Sequence, residues 1–96
     1  MSREKVPAVY ILASKPYGTL YTGVTSDLCS RVQQHKQGLI PGFTKKYDVK
    51  LLVWFEYQNT RSIIKEWQRA WKIRLIEETN PHWLDRFAET CGRYIG

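Results

Sequence analysis

The sequence predicts an α+β domain in which a small three-stranded antiparallel sheet, built in the order ββαβαα, is packed by helices. Three observations lead there. Two short β-branched and aromatic runs flank a turn that contains Pro and Gly. A near-continuous apolar run, too short for a good helix, follows later in the chain. Two further segments repeat apolar residues at helical spacing.

Taken in order, residues 7–14 (PAVYILAS) and 19–25 (TLYTGVT) read as strands. Lys15-Pro16-Tyr17-Gly18 lies between them and places Pro and Gly where a turn wants them, so the pair should form an antiparallel hairpin. Ser26 or Asp27 can cap a helix that runs to about Gln37, with Leu28, Val32 and His35 on one side and Gly38 as its stop. Residues 38–48 read as a loop, and 50–57 (KLLVWFEY) as a central strand. Residues 60–79 predict the longest helix. Ile63, Ile64, Trp67, Trp71 and Leu75 cover an arc of about 120° and read as core, and Arg61, Lys65, Arg69 and Lys72 cover a second arc of about 80°. Asn80-Pro81 ends it, and 83–88 suits another short helix. Residues 1–6 and 89–96 look like loose ends, leaving 7–88 as one domain.

The chain has 96 residues, 43% of them hydrophobic, with four Trp, six Tyr and three Phe. That is enough for one modest core without a metal or disulfide framework. Cys29 and Cys91 are far apart without metal-ligand spacing and read as two reduced thiols of a cytoplasmic protein. No stretch approaches the roughly 18 apolar residues of a membrane span, and the charged first residues have no apolar run of a secretory signal behind them. Fifteen Lys and Arg against nine Asp and Glu give a net charge of +6, which suits a polyanionic partner, nucleic acid above all, and equally suits solubility alone.

The chemistry-bearing residues converge on the hairpin and the first helix. With a four-residue loop, Leu12 pairs with Tyr21 and Tyr10 with Gly23, so that Tyr10 and Tyr21 project from one face as diagonal neighbours. Arg31 and His35 stand at i and i+4. A guanidinium beside an imidazole and two phenols suits a phosphodiester, because Arg holds phosphate oxygens and Tyr or His shifts protons. Packing tyrosines, a surface arginine and a helix-terminal histidine would account for the same residues singly. Lys45 and Lys46, with Arg61, Lys65, Arg69 and Lys72, are the candidates for nucleic-acid contact.

These residues also carry a resemblance. Ala8-Val9-Tyr10-Ile11-Leu12, Leu20-Tyr21-Thr22-Gly23-Val24-Thr25 and Asp27-Leu28, with Arg31 and His35 downstream, resemble the core of GIY-YIG endonucleases. Phe43-Thr44-Lys45-Lys46-Tyr47, Lys65-Glu66-Trp67, Arg69-Ala70-Trp71-Lys72 and Asn80-Pro81 before Trp83 narrow it to small stand-alone bacterial members, an uncharacterised protein family. The resemblance implies a GIY-YIG-like fold and a hydrolase that cuts DNA phosphodiesters with Mg2+ or Mn2+. Tyr10 and Tyr21 would be the motif tyrosines, Arg31 the phosphate arginine and His35 a supporting residue. The expectation is a cytoplasmic monomer that works on nucleic acid, away from membranes and without a small-molecule cofactor.

One position departs from the family pattern. The family's metal-holding glutamate sits on the helix after the third strand, but the path from Tyr57 to Ile64 is about two helical turns short and puts Arg61 there. An arginine cannot ligate a cation. Glu66 and Glu56 are the remaining carboxylate candidates, and a solvated surface charge is the plainer reading of Glu66. Three functions therefore stand open: a metal-assisted nuclease, an inactive nucleic-acid-binding module on the same scaffold, and a structural or interaction domain.

Overall fold

A run such as AVYILA, with small residues at both ends and no charge, can be buried on both faces, and strand β1 (Ala8–Ala13) is buried along its whole length. The computed structural model describes residues 7–57 and 66–95, and side chains up to 92. In it β1 is the middle strand of a three-stranded antiparallel sheet, between β2 (Leu20–Thr25) and β3 (Leu51–Tyr57). The α+β class and the antiparallel three-stranded sheet are as the sequence predicts. The expectation that 50–57 is the central strand is not: β3 is an edge. Its apolarity comes from helices covering both faces, not from strands on both sides.

The hairpin has the predicted register, Leu12 opposite Tyr21 and Tyr10 opposite Gly23. Its turn is closed by the Ser14 amide donating to the Thr19 carbonyl (3.0 Å) and the Thr19 amide donating to Ser14 Oγ (2.9 Å). On the other side, the register shifts between Ile11 and Leu12, leaving Val53 as an extra residue of β3.

Two helical layers sandwich the sheet. On one face α1 (Leu28–Lys36) and α4 (Phe87–Ile95) bring Leu28, Val32, Phe87 and Cys91 against Tyr10, Leu12 and Leu52. On the other, α3 (Arg69–Thr79) packs Leu75 and Ile76 against Val9, Ile11, Val53 and Trp83. A one-turn helix, α2 (Phe43–Lys46), interrupts the segment expected to be loop.

The helix expected over 60–79 starts at Arg69 among the described residues, with Gln68 as an extended N-cap. Thr60, Arg61, Ile63, Ile64 and Lys65 lie outside those residues. Leu75 and Ile76 face the core, while Trp71, expected inside, lies in the first turn and is 54% exposed. Trp67 packs partly against the core, but from ahead of the helix. At the C-terminal end, residues 83–86 lie outside any helix or strand, and the expected loose run from Glu89 is helical through Ile95. That helix corrects the reading of the cysteines. Packing α4 on α1 brings the Cys29 and Cys91 Cα atoms to 5.7 Å, and the two form a disulfide in place of the reduced thiols expected.

Two polar side chains, buried Asn80 and exposed Asp85, fix the helix ends. Asn80, the C-cap of α3, donates from Nδ2 to the carbonyls of Val53 (3.0 Å) and Leu84 (2.8 Å) and accepts from the Leu84 amide (3.0 Å). Asp85 Oδ1 accepts from the amides of Leu52 (3.1 Å) and Phe87 (3.0 Å), tying β3 to the start of α4. Replacing Asn80 by Ala leaves an amide and two carbonyls without their partner, and should cost about 3 kcal/mol. Urea denaturation checks this: the midpoint should fall while the slope stays unchanged.

Candidate functional site

The site grows from the middle of β1. Tyr10 projects toward α1, across β2 from Gly23, and its hydroxyl lies over that glycine. A Cβ at position 23 would sit 2.5 Å from Tyr10 Cζ and 2.9 Å from Cε1, so any larger residue there displaces the phenol. Gly23 is thus required by close approach, and its neighbour two positions back, Tyr21, completes a ring pair with centroids 6.3 Å apart.

Helix α1 is set by a local turn. Thr25 Oγ1 accepts from the Asp27 amide (3.0 Å), and Asp27 Oδ1 accepts from the Ser30 amide (3.3 Å), capping the helix. From that start Val32 faces the core, His35 is buried near the end and Arg31 is exposed one turn above it. The His35 ring reaches both tyrosines: Nε2 is 3.1 Å from the Tyr10 hydroxyl, and its centroid is 5.4 Å from that of Tyr21. Its other nitrogen, Nδ1, is 2.9 Å from Oγ1 of buried Thr44 on α2.

A neutral imidazole has one N–H, so this chain of hydrogen bonds runs in one direction at a time. Either Tyr10 donates to Nε2 and Nδ1–H donates to Thr44, or Thr44 donates to Nδ1 and Nε2–H donates to Tyr10. Burial, reinforced by the charge of Arg31, holds the His35 imidazole below its usual 6.5 and keeps it neutral at neutral pH. Burial, reinforced by the Tyr21 phenol, holds the Tyr10 hydroxyl well above its usual range, while Arg31 pulls the other way. Tyr10 is therefore a phenol and not a standing phenolate.

The structure gathers four of the sequence-nominated residues, Tyr10, Tyr21, Arg31 and His35, on one face of the sheet. Lys45 and Lys46 lie exposed on α2, the helix that supplies Thr44. Arg69 and Lys72 are elsewhere. They belong to α3 on the opposite face, where Arg69 Nη2 donates to the Tyr17 carbonyl (2.6 Å) and burial lowers the Lys72 ammonium below its usual range. Arg61 and Lys65 lie outside the described residues. The two carboxylate candidates are also off the site: Glu56 pairs with Val9, on the face opposite Tyr10, and Glu66 is exposed just ahead of Trp67. Among the described residues no group of three or more His, Cys, Asp and Glu is placed to hold a metal ion. The donor set described does not fit a divalent cation. Thr44 and the close approach at Gly23 were not read from the sequence; the signal for Thr44 was its place in the motif Phe43-Thr44-Lys45-Lys46-Tyr47, of which only the lysines were given a role.

The three-stranded sheet with its hairpin and following helix is the fold of a nuclease-type domain family. The family model for the GIY-YIG catalytic domain matches residues 6–81. The chain belongs to the GIY-YIG family. It is similar to UPF0213 proteins of Staphylococcus aureus, among them those of strains Mu3, Mu50 and N315. Each is 36% identical over 77 residues, covering 73% of this chain and 93% of the relative. No solved structure matches the chain. Among the described residues no helix is long and apolar enough to cross a membrane.

Two outcomes follow from this geometry. Gly23→Ala should destabilise the fold by about 2 kcal/mol through overpacking, and should alter the tyrosine near-ultraviolet circular dichroism because the displaced ring is Tyr10. The His35 shift fixes a pH dependence. Below pH 6.5 the unfolded histidine takes up a proton that the folded one resists, so stability falls as pH drops from 6.5 toward the lower folded value. Denaturant titrations across pH 5 to 7.5 (roughly the range in which His titrates) should show this slope in the wild type and a shallower one in His35→Gln.

Proposed function

We propose that the protein hydrolyses phosphodiester bonds in DNA, with Arg31 holding the phosphate and Tyr10 and His35 moving the proton. The observation that carries this reading is the Tyr10–His35 hydrogen bond with the charge of Arg31 bearing on both partners. The family match supports the reaction class.

Arg31 is exposed, charged at all relevant pH and built for two-point contact with phosphate oxygens. A water beside the phosphorus loses its proton to the Tyr10 oxygen as Tyr10 passes its own proton to His35 Nε2. The water oxygen bonds to phosphorus, the bond to the sugar oxygen breaks, and that oxygen takes a proton from solvent. The resulting imidazolium then releases its proton. A relay is favoured over a phenolate base because burial keeps Tyr10 protonated, while neutral His35 is ready to accept. The relay uses the tautomer in which Nδ1–H donates to Thr44 and Nε2 is open to accept.

GIY-YIG nucleases generally use divalent metals, but no step here is routed through one, because the described residues do not fit a cation. That misfit, with Arg61 matched to the glutamate position, favours a second reading in which the same site grips nucleic acid without cutting it.

Labelled single- and double-stranded DNA, incubated with Mg2+ or Mn2+ and separately with chelator, distinguishes the two. Cleavage that Arg31→Ala lowers by about a hundredfold or more supports hydrolysis. Salt-sensitive retardation without products leaves the binding module. Neither cleavage nor retardation retires both and leaves an interaction domain.

A further inference from the structure

Helix α2 carries two large aromatic side chains that the core does not use. Phe43 and Tyr47 are each 46% exposed, and their ring centroids are 4.9 Å apart. They are not isolated surface rings. Phe43 lies 6.2 Å from Tyr21, whose ring is 5.4 Å from His35, so a line of rings leads from the buried end of the site out to solvent. The helix is held between two residues of left-handed backbone, Gly42 (φ 105°) and Asp48 (φ 56°). Its position is further tied by the Thr44 side chain at His35 and by the Val49 amide donating to the Thr44 carbonyl (2.9 Å). The rings are therefore presented on a preorganised turn. Lys45 and Lys46 are exposed on the same turn, and the Lys46 ammonium lies 5.3 Å from the Tyr47 ring centre.

We propose that Phe43 and Tyr47 form a stacking shelf for an unpaired nucleobase next to the phosphate held at Arg31. The proposal rests on the reading that this site grips nucleic acid, and it goes further by naming what the strand must offer: a base free of its partner. Aromatic faces accept any base, and lysines alongside them suit the sugar–phosphate backbone. A base in a continuous duplex has both faces stacked and cannot lie on such a shelf. The exposed apolar area, the adjoining cations and the continuity with the Tyr21–His35 rings point to one occupant, a nucleic-acid strand with at least one unstacked base.

Fluorescence anisotropy of the full chain tests this with three probes of equal length: a labelled single-stranded oligonucleotide, a blunt duplex and a strand of abasic residues. Phe43→Leu with Tyr47→Leu should weaken binding of the single strand about tenfold or more. Binding of the duplex and of the abasic strand should stay unchanged, as should the slope of affinity against salt, because phosphate contacts persist. Phe43→Trp should bind the single strand as well as the wild type does. Tyr47→Leu alone, which leaves the Phe43, Tyr21 and His35 rings in place, should show a partial loss in the same direction. Equal losses on all three probes, or none, would overturn the shelf while leaving the grip at Arg31 standing. A wild-type protein that binds none of the probes would overturn both.

Discussion

A phenol placed in the middle of a central strand has to find a hydrogen-bond partner away from water, and the arrangement around Tyr10 follows from that requirement. Its hydroxyl reaches over Gly23, where no side chain stands in the way, and meets His35. His35, itself buried, needs a partner for its second nitrogen and meets Thr44. The chain of contacts therefore joins β1, α1 and α2 through polar groups inside an otherwise apolar layer. Buried polar networks of this kind are costly when incomplete, and this one is complete from the phenol to the threonine. The same burial that demands the bonds also separates the protonation habits of the two groups, keeping the phenol protonated and the imidazole neutral.

How much of this the sequence disclosed depends on how local each determinant is. The pairing of Tyr10 with Gly23 follows from loop length once a Pro/Gly turn is placed, because strand register is counted outward from the turn. The capping of α1 follows from Asp27 in the same way. Determinants that depend on distant chain were hidden. The apolar residues of β3 are what a two-face-covered strand requires, and an edge strand between two helical layers meets that condition as well as a central one. Trp71 fits a helical apolar arc on paper, but it lies in the first turn of a helix that begins only at Arg69, and its ring is left 54% exposed. Thr44 sits in a single helical turn, which periodicity cannot register.

The sheet divides the molecule by task. Its α1 and α4 face holds the phenol–imidazole chain, the exposed arginine and the aromatic turn. Its α3 face is structural: Arg69 holds the hairpin turn, to which Glu77 is also bonded through the Tyr17 hydroxyl, and Trp83 stacks on Tyr17 at 4.6 Å. Two basic residues that looked like a nucleic-acid stripe thus sit on the face away from Tyr10. On the other face, the Cys29–Cys91 bond joins α4 to the helix that carries Arg31 and His35, so the support of those side chains does not rest on apolar packing alone.

The charge arrangement bears on how such a site would discriminate. Lys45 and Lys46 stand on the turn that also carries the exposed rings, and Arg31 stands on the helix that carries His35. Cations spaced along a surface capture the backbone of any polyanion and confer little selectivity. Discrimination has to come from groups that read something other than phosphate. The exposed large groups beside these cations are the rings of Phe43 and Tyr47, which suit recognition of base exposure. The proton chain behind them is equally indifferent to sequence. On the proposed reading such a site selects by the local structure of a strand, and Thr44, on the same turn as the rings, links that selection to His35.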